Sequence, residues 1–393
     1  MSHPAARRAV LGGLGTLFAW GFAPHRAAAQ GRDPRLLVVV LRGALDGLAM
    51  VQPVGDPAFA ALRGAESGTP HRLDDLFALH AGMPRLLAMF AAGEALAVHA
   101  AHTPYRGRSH FDGQDVLESG LGGVPGGART GWLNRALEVL PRGARLPAPR
   151  GLAISPTVPV IMQGAAPVET WQPQAFRYAD PALVARLLDL YEARDPRLAE
   201  ALRQGAALDD ALQAEGQGRA APGLPRFVAE AQAAARIMSR PDGPRVAALS
   251  VTGWDTHAAQ GTAQGALAQR LGLLDQALGA LRDGLAPAWA DTVVAVVTEF
   301  GRTAALNGSR GTDHGAASAA LLLGGRVAGG RVLADWPGLA PHDLLDGRDL
   351  RPTTDLRAVL AGVLEAQLGL GGAALRAAFP DAGLRPLRGL LRA

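Results

Sequence analysis

The 393-residue chain contains no cysteine, and with it go disulfides, thiolate zinc sites, haem attachment through CxxCH and any cysteine nucleophile. Lysine is missing too, so all 39 basic residues are arginine, which removes Schiff-base chemistry and the phosphate-loop lysine. Aromatics make up 5% and charged residues 19%, yet 48% of the chain is hydrophobic. That is the composition of a folded globular protein with one large core or two modest ones. The pI near 10.4 reflects a chain with no Lys or Cys and three Tyr, in which little titrates between neutral pH and Arg. No basic stripe interleaved with aromatics appears, so no nucleic-acid partner is expected.

Residues 1–29 have a logic of their own. Arg7-Arg8 precedes an apolar stretch from Leu11 to Ala23, too short to span a bilayer, and Ala27-Ala28-Ala29 supplies a small-residue cleavage pattern. The order predicts a twin-arginine export signal, with the twin-arginine translocase as a transient partner and a periplasmic or secreted mature protein with no stable membrane span. An ordinary secretory signal is the nearer rival. Because twin-arginine export moves folded proteins, it would allow a chosen metal to be loaded before release.

Along residues 30–393, expected as a single domain, apolar runs alternate with Ala/Leu-rich amphipathic stretches. This is the pattern of an α/β fold with a doubly wound, mostly parallel sheet. Strands are expected at 36–41, 96–101, 246–251, 292–298 and 320–323. Helices are expected at 84–92, 111–119, 132–139, 181–193, 227–238, 263–282 and 356–367. Gly/Pro-rich segments at 120–130 and 141–151 read as loops. Residues 180–240 interrupt the strand rhythm and read as a helical insertion capping the sheet.

Polar clusters sit beside the apolar runs, where ligands of open α/β sheets collect. Val38 to Leu41 leads into Arg42-Gly43-Ala44-Leu45-Asp46, Val246 to Val251 into Trp254-Asp255-Thr256-His257, and Thr292 to Thr298 into Glu299. Ser109-His110 and Asp313-His314 complete the set. Carboxylates, imidazoles and a hydroxyl drawn from distant segments suit a divalent metal and hydrolysis. Each also has a plainer reading: Asp46 as a turn cap, Ser109 with Asp112 as a capping box, Glu299 and Asp313 as salt-bridge partners of Arg302 and Arg310, and His314 as a loop histidine. Asp255-x-His257 is the hardest to dismiss, since both are ligand types and a persisting strand would point them to one side.

The segments LRGALDGLAMVQP, RSHFDGQDVLESG, GWLNRAL, GWDTH, TEFGRTAALNGSRGTDHG and TTDLRAVL resemble the exported family catalogued as domain of unknown function 1501. That family looks like a member of the alkaline phosphatase and sulfatase superfamily. The resemblance implies an alkaline-phosphatase-like fold with metal ligands Asp46, Asp255, His257, Glu299, Asp313 and His314. It also implies a nucleophile at Ser109 with His110 beside it. The Asp-His spacing is shorter than the phosphatase pattern, Glu299-Phe300 stands where Asp-His is expected, and Asp313-His314-Gly315 resembles that missing motif. Both alignments stay open. In His102-Thr103-Pro104-Tyr105-Arg106 the sulfatase nucleophile position holds His, which argues against a formylglycine sulfatase.

The expected chemistry is hydrolysis of a phosphate ester or related ester, on a small molecule or a polymer, assisted by one or two divalent ions. Zn or Mn suits mixed His and carboxylate ligands, and Arg42, Arg106, Arg108 or Arg302 would bind the non-bridging oxygens. The alternative is a non-catalytic exported binding or assembly protein that keeps the fold with a degenerate site.

Overall fold

The computed structural model describes residues 32–64, 69–125, 129–140, 150–172, 181–213, 224–381 and 383–392. The expected export signal and most of the 141–151 loop lie outside them. Pro34–Ala393 forms one compact unit. Among the described residues no helix is long and apolar enough to cross a membrane.

Nine strands make the main sheet. They are β1 (Arg35–Arg42), β2 (Ala95–His102), β3 (Gly151–Ile154), β4 (Val168–Trp171), β5 (Val246–Thr252), β6 (Thr292–Val297), β7 (Ser318–Leu323), β8 (Arg331–Leu333) and β9 (Thr354–Asp355). Their order is β8-β2-β7-β6-β1-β5-β3-β4, with β9 also on β2. Every described pairing is parallel except those of β7, which runs antiparallel to both β2 and β6. Val51–Gln52, His71–Arg72 and Ala78–Leu79 form a second, three-stranded sheet.

β1 is written Leu-Leu-Val-Val-Val-Leu because it is buried on both faces. Leu37, Val39 and Leu41 enter one core and Leu36, Val38 and Val40 the other. The first core is closed by α1 (Pro84–Ala91), α6 (Leu224–Ser239) and α7 (Ala266–Gly284); the second by α2 (His110–Ser119), α3 (Trp132–Glu138) and α8 (Leu356–Leu368). The chain from 180 to 240 holds α4 (Pro181–Arg194), α5 (Pro196–Gln213) and α6. Phe227, Ala231, Ala234, Ile237 and Met238 of α6 are buried in the first core.

This topology fixes where the polar clusters go. β1, β2, β5 and β6 share one direction, so the segments after Arg42, His102, Thr252 and Val297 leave from the same edge. The antiparallel β7 begins at that edge, so Asp313-His314 arrives there by preceding a strand. At the rim the turns cross almost in contact. Gly43 has φ +113°, and a Cβ there would lie 2.8 Å from the backbone nitrogen of Asp255, so only glycine fits.

Candidate metal centre

β5 ends at Thr252, and Trp254 is fully buried behind the turn that follows. Asp255 and His257 therefore do not share a face by strand alternation; the turn brings them together, with Asp255 Oδ1 2.9 Å from His257 Nε2. His314 Nε2 lies 3.2 Å from the same oxygen and 3.0 Å from His257 Nε2. His110, the first residue of α2, brings its Nε2 to 3.4 Å from Asp255 Oδ2. Among the described residues, His110, Asp255 and His314 form the one group whose ligand atoms all lie within 4.8 Å of one another, and His257 stands beside two of them.

The opposite edge of each imidazole decides where its proton sits. His314 Nδ1 is 2.7 Å from the Arg108 carbonyl, His110 Nδ1 is 2.8 Å from Glu299 Oε1, and His257 Nδ1 is 3.2 Å from Asp313 Oδ1. A carbonyl or carboxylate oxygen only accepts, so Nδ1 of His314 and of His110 carries hydrogen and Nε2 of each neutral ring presents a lone pair. Two such nitrogens converge on the Asp255 carboxylate, acceptor facing acceptor, and His257 meets a carboxylate oxygen at both of its ring nitrogens, at 2.9 Å from Asp255 and 3.2 Å from Asp313. The Nε2 of His110 is buried with no hydrogen-bond partner. A cation resolves this arrangement. Ligand atoms of a tetrahedral site with bonds of about 2.0–2.1 Å stand about 3.3 Å apart; Asp255 Oδ1 to His257 and His314, His257 to His314, and Asp255 Oδ2 to His110 span 2.9 to 3.4 Å, and His110 and His314 fall within 4.8 Å of each other. Imidazole held from behind by an oxygen is also how metal-binding histidines are commonly oriented. The residues fit a divalent N/O-ligated ion such as Zn or Mn.

The local electrostatics follow from these contacts. The hydrogen bond to Glu299 raises the His110 pKa above its ordinary value despite burial. For Glu299 and Asp255, burial pushes the carboxyl up, but hydrogen bonds from His110 to the former and from Arg302 to the latter outweigh it and leave both below the usual range. Burial lowers His314, and the nearby His110 adds to the effect.

The other expected residues separate into distinct places. Glu299 is fully buried, and its Oε1 takes N–H donors from Gly43 at 2.8 Å, Ala44 at 3.2 Å and Gln114 at 3.2 Å besides His110. It sits behind His110, and Asp313 stands likewise behind His257, also taking the Asn307 amide at 3.0 Å. Asp46 lies apart. Its carboxylate is buried against Arg63, at 2.5 and 3.0 Å, and Gln260, at 2.9 Å, so the structure does not bring it to the cluster; this agrees with its plainer reading as a cap, since it also accepts from Ala49 N. Ser109 is the N-cap of α2, its Oγ 3.5 Å from Asp112 N, directly before His110.

Of the four arginines, Arg302 faces inward at 1% exposure, donating to Asp255 Oδ1 at 2.5 Å and to Thr312. That corrects its expected role: its donors are occupied by protein. Arg42 pairs with Glu118 and Gln114. Arg108, with φ +60°, pairs with the buried Asp349 at 2.7 Å, and Arg106 bonds the Thr103 and Tyr105 carbonyls. Both line a cavity of about 300 Å³.

Sequence reasoning missed Phe300, Gln114 and Arg63. Phe300 stacks on His110, ring centroids 5.0 Å apart and planes 20° apart, and tilts against His314 at 5.3 Å. Gln114 lies one helical turn after His110, a spacing that places it on the same face and so was readable.

A family model described as a protein of unknown function, DUF1501, matches residues 92–379. No curated protein matches the chain. Among solved structures, the chain is similar to a phosphonate monoester hydrolase of Agrobacterium radiobacter, with 12% identity, TM-score 0.39, and 90% of this chain and 79% of that one covered. It is similar to the PsFucS1 sulfatase from Pseudoalteromonas sp., with 11% identity, TM-score 0.38, and 84% and 68% covered. It is also similar to the C-terminal periplasmic domain of EcEptC from Escherichia coli in complex with Zn, with 9% identity, TM-score 0.37, and 75% and 74% covered. At these scores the likenesses carry no argument about activity.

Proposed function

The chain belongs to the DUF1501 family, and from its site we propose that it is an exported, metal-dependent hydrolase of a phosphate ester or related ester. One observation carries the reading: the Nε2 atoms of His110, His257 and His314 face Asp255, while each Nδ1 lies against an oxygen of Glu299, Asp313 or Arg108. His110, His314 and Asp255 would hold the ion, with His257 as the fourth donor. Bound there, it would polarise the ester oxygen and lower the pKa of a hydroxyl or water.

The remaining work falls to the chain itself. Ser109 caps α2, where free amides and the helix dipole favour a developing anion, and is the candidate nucleophile. Glu299 holds the His110 ring through Nδ1. Arg108 neighbours Ser109 and borders the adjoining cavity, where half-exposed guanidinium can meet a non-bridging oxygen. Export by the twin-arginine route, with loading before release, belongs to the same proposal.

The test is elemental analysis of mature protein purified without chelator. About one ion per chain is expected, lost in Asp255→Ala, together with turnover of a phosphomonoester that falls away in Ser109→Ala. Metal-free protein that turns over no phosphomonoester, phosphodiester or sulfate ester overturns the reading.

The alternative, an exported binding protein, rests on Arg302. Its buried guanidinium already lies on Asp255 Oδ1, where it opposes a second positive charge. Folded, metal-free protein with no turnover across the panel favours this reading.

A further inference from the structure

The cavity beside the cluster is continuous with it in its walls. Phe300, whose ring stacks on His110, lines it, as do Gly315, which follows His314, and Arg108, whose carbonyl holds the His314 ring. Its other surfaces include Ala316, Leu345 and Pro352, with Tyr105 and Arg106 beside them. About 300 Å³ is the lower end of the range for small-molecule sites. Apolar walls with a few charged groups are also their usual composition.

Two residues of the cavity lining have left-handed backbone. Arg108 and Asp346, both in its lining, have φ of +60° and +54°, conformations that cost free energy in non-glycine residues and gather at ligand sites. Its position is fixed by the fold as well. Gly315 permits the close crossing of this segment over the Arg302 carbonyl, since a Cβ there would lie 2.4 Å from that oxygen.

We infer that this cavity receives the non-reacting part of the substrate and selects a small ester carrying an uncharged, ring-sized apolar group. The inference rests on the hydrolase reading for the word ester, but the apolar preference belongs to the cavity. A ring entering from the cluster side passes Phe300 and meets Ala316, Leu345 and Pro352, while its acidic head stays beside His110, His314 and Arg108.

The experiment compares phenylphosphonate with methylphosphonate, which share a head group and differ by the ring. Calorimetric titrations are run on chelator-stripped and on zinc-loaded protein. The phenyl compound is expected to bind roughly tenfold tighter in both forms, the scale of discrimination that an apolar pocket gives. Ala316→Phe, which fills the space, should abolish the preference. Leu345→Ala, which truncates a partly exposed wall without touching the backbone bonds of Leu345 to Asp349, should reduce it several-fold; it serves if the filled variant misfolds. Equal affinities in wild type, or a preference that survives both substitutions, overturns the inference whatever the metal does. Failure of the protein to take up zinc would instead count against the hydrolase reading, and the ring preference of the stripped form would still decide the cavity's role.

Discussion

Acid should unfold this protein through a histidine that has nothing to do with its chemistry. His99 lies in β2, fully buried, between Phe77 at 5.2 Å and Trp336 at 5.1 Å. Its Nε2–H donates to the Val51 carbonyl and its Nδ1 accepts from Ala100 N–H, both at 2.8 Å. Protonation would turn Nδ1 into a donor facing a donor inside the core. Burial accordingly pushes the pKa from 6.5 down to about 4. The sign follows from linkage: between those values the unfolded chain binds the proton and the folded one refuses it, so stability falls as pH drops below 6.5 and levels off below 4. Each tenfold difference in proton affinity is worth ~1.4 kcal/mol, so the full loss is about 3 kcal/mol, of which about 2 kcal/mol is felt between pH 7 and 4.5. Urea unfolding of wild type and His99→Gln at pH 7, 5.5 and 4.5 measures it. The gap between the two proteins should change by that amount in favour of the glutamine variant as pH falls. Parallel pH profiles would refute the buried neutral imidazole. The result also matters for the site, because an acid limb in an activity profile would otherwise be credited to His110 or His314.

Asp46→Asn should lower stability by about 3–5 kcal/mol, since it leaves Arg63, 5% exposed, as an uncompensated buried charge; urea midpoints check this, and metal content should not change. Glu299→Gln keeps the shape behind His110 but removes the charge that holds its ring, and zinc affinity measured by competition with a chelating dye should drop about 10- to 100-fold; unchanged affinity would detach Glu299 from the centre. Gly113→Ala would ordinarily stabilise a helix by about 1 kcal/mol, but here the new Cβ would lie 2.9 Å from Phe300 Cδ1. We expect destabilisation of roughly 1–3 kcal/mol instead, read by thermal melting, with weaker zinc binding as Phe300 moves off His110.

The long strands and helices were legible because burial on two faces writes itself as unbroken apolar runs. Leu36 to Leu41, Val246 to Val251 and Thr292 to Thr298 were found within a residue or so of their ends. What stayed hidden is short or depends on partners. Gly151–Ile154 and Val168–Trp171 are four-residue strands recruited by pairing with their neighbours, and no period is readable over so few positions. The antiparallel run of β7 leaves no mark in its own sequence, Ser-Ala-Ala-Leu-Leu-Leu, since orientation is a property of the ladder. Among site residues, type was legible and rank was not. Asp46, Asp255, Glu299 and Asp313 are all acids at strand ends, and only side-chain direction decides that one faces the cluster, two orient histidines and one neutralises a buried arginine.

That sorting bears on how many ions the rim can serve. A second cation would need carboxylates to spare, and the two nearest in the motif order are already committed. Asp46 is matched by Arg63 and Gln260, while Glu299 Oε1 is surrounded by the amides of Gly43 and Ala44, the His110 ring and Gln114. The turn Arg42-Gly43-Ala44 spends the amides of Gly43 and Ala44 on this protein carboxylate. Glu299-Phe300 and Asp313-His314 then have complementary places at one site. The glutamate positions an imidazole supplied by α2, the phenylalanine stacks on that imidazole, and His314 enters from the segment before β7. Side chains from three segments thus meet around Asp255, while Asp46 and Glu299 have no oxygen left for a second group of this kind.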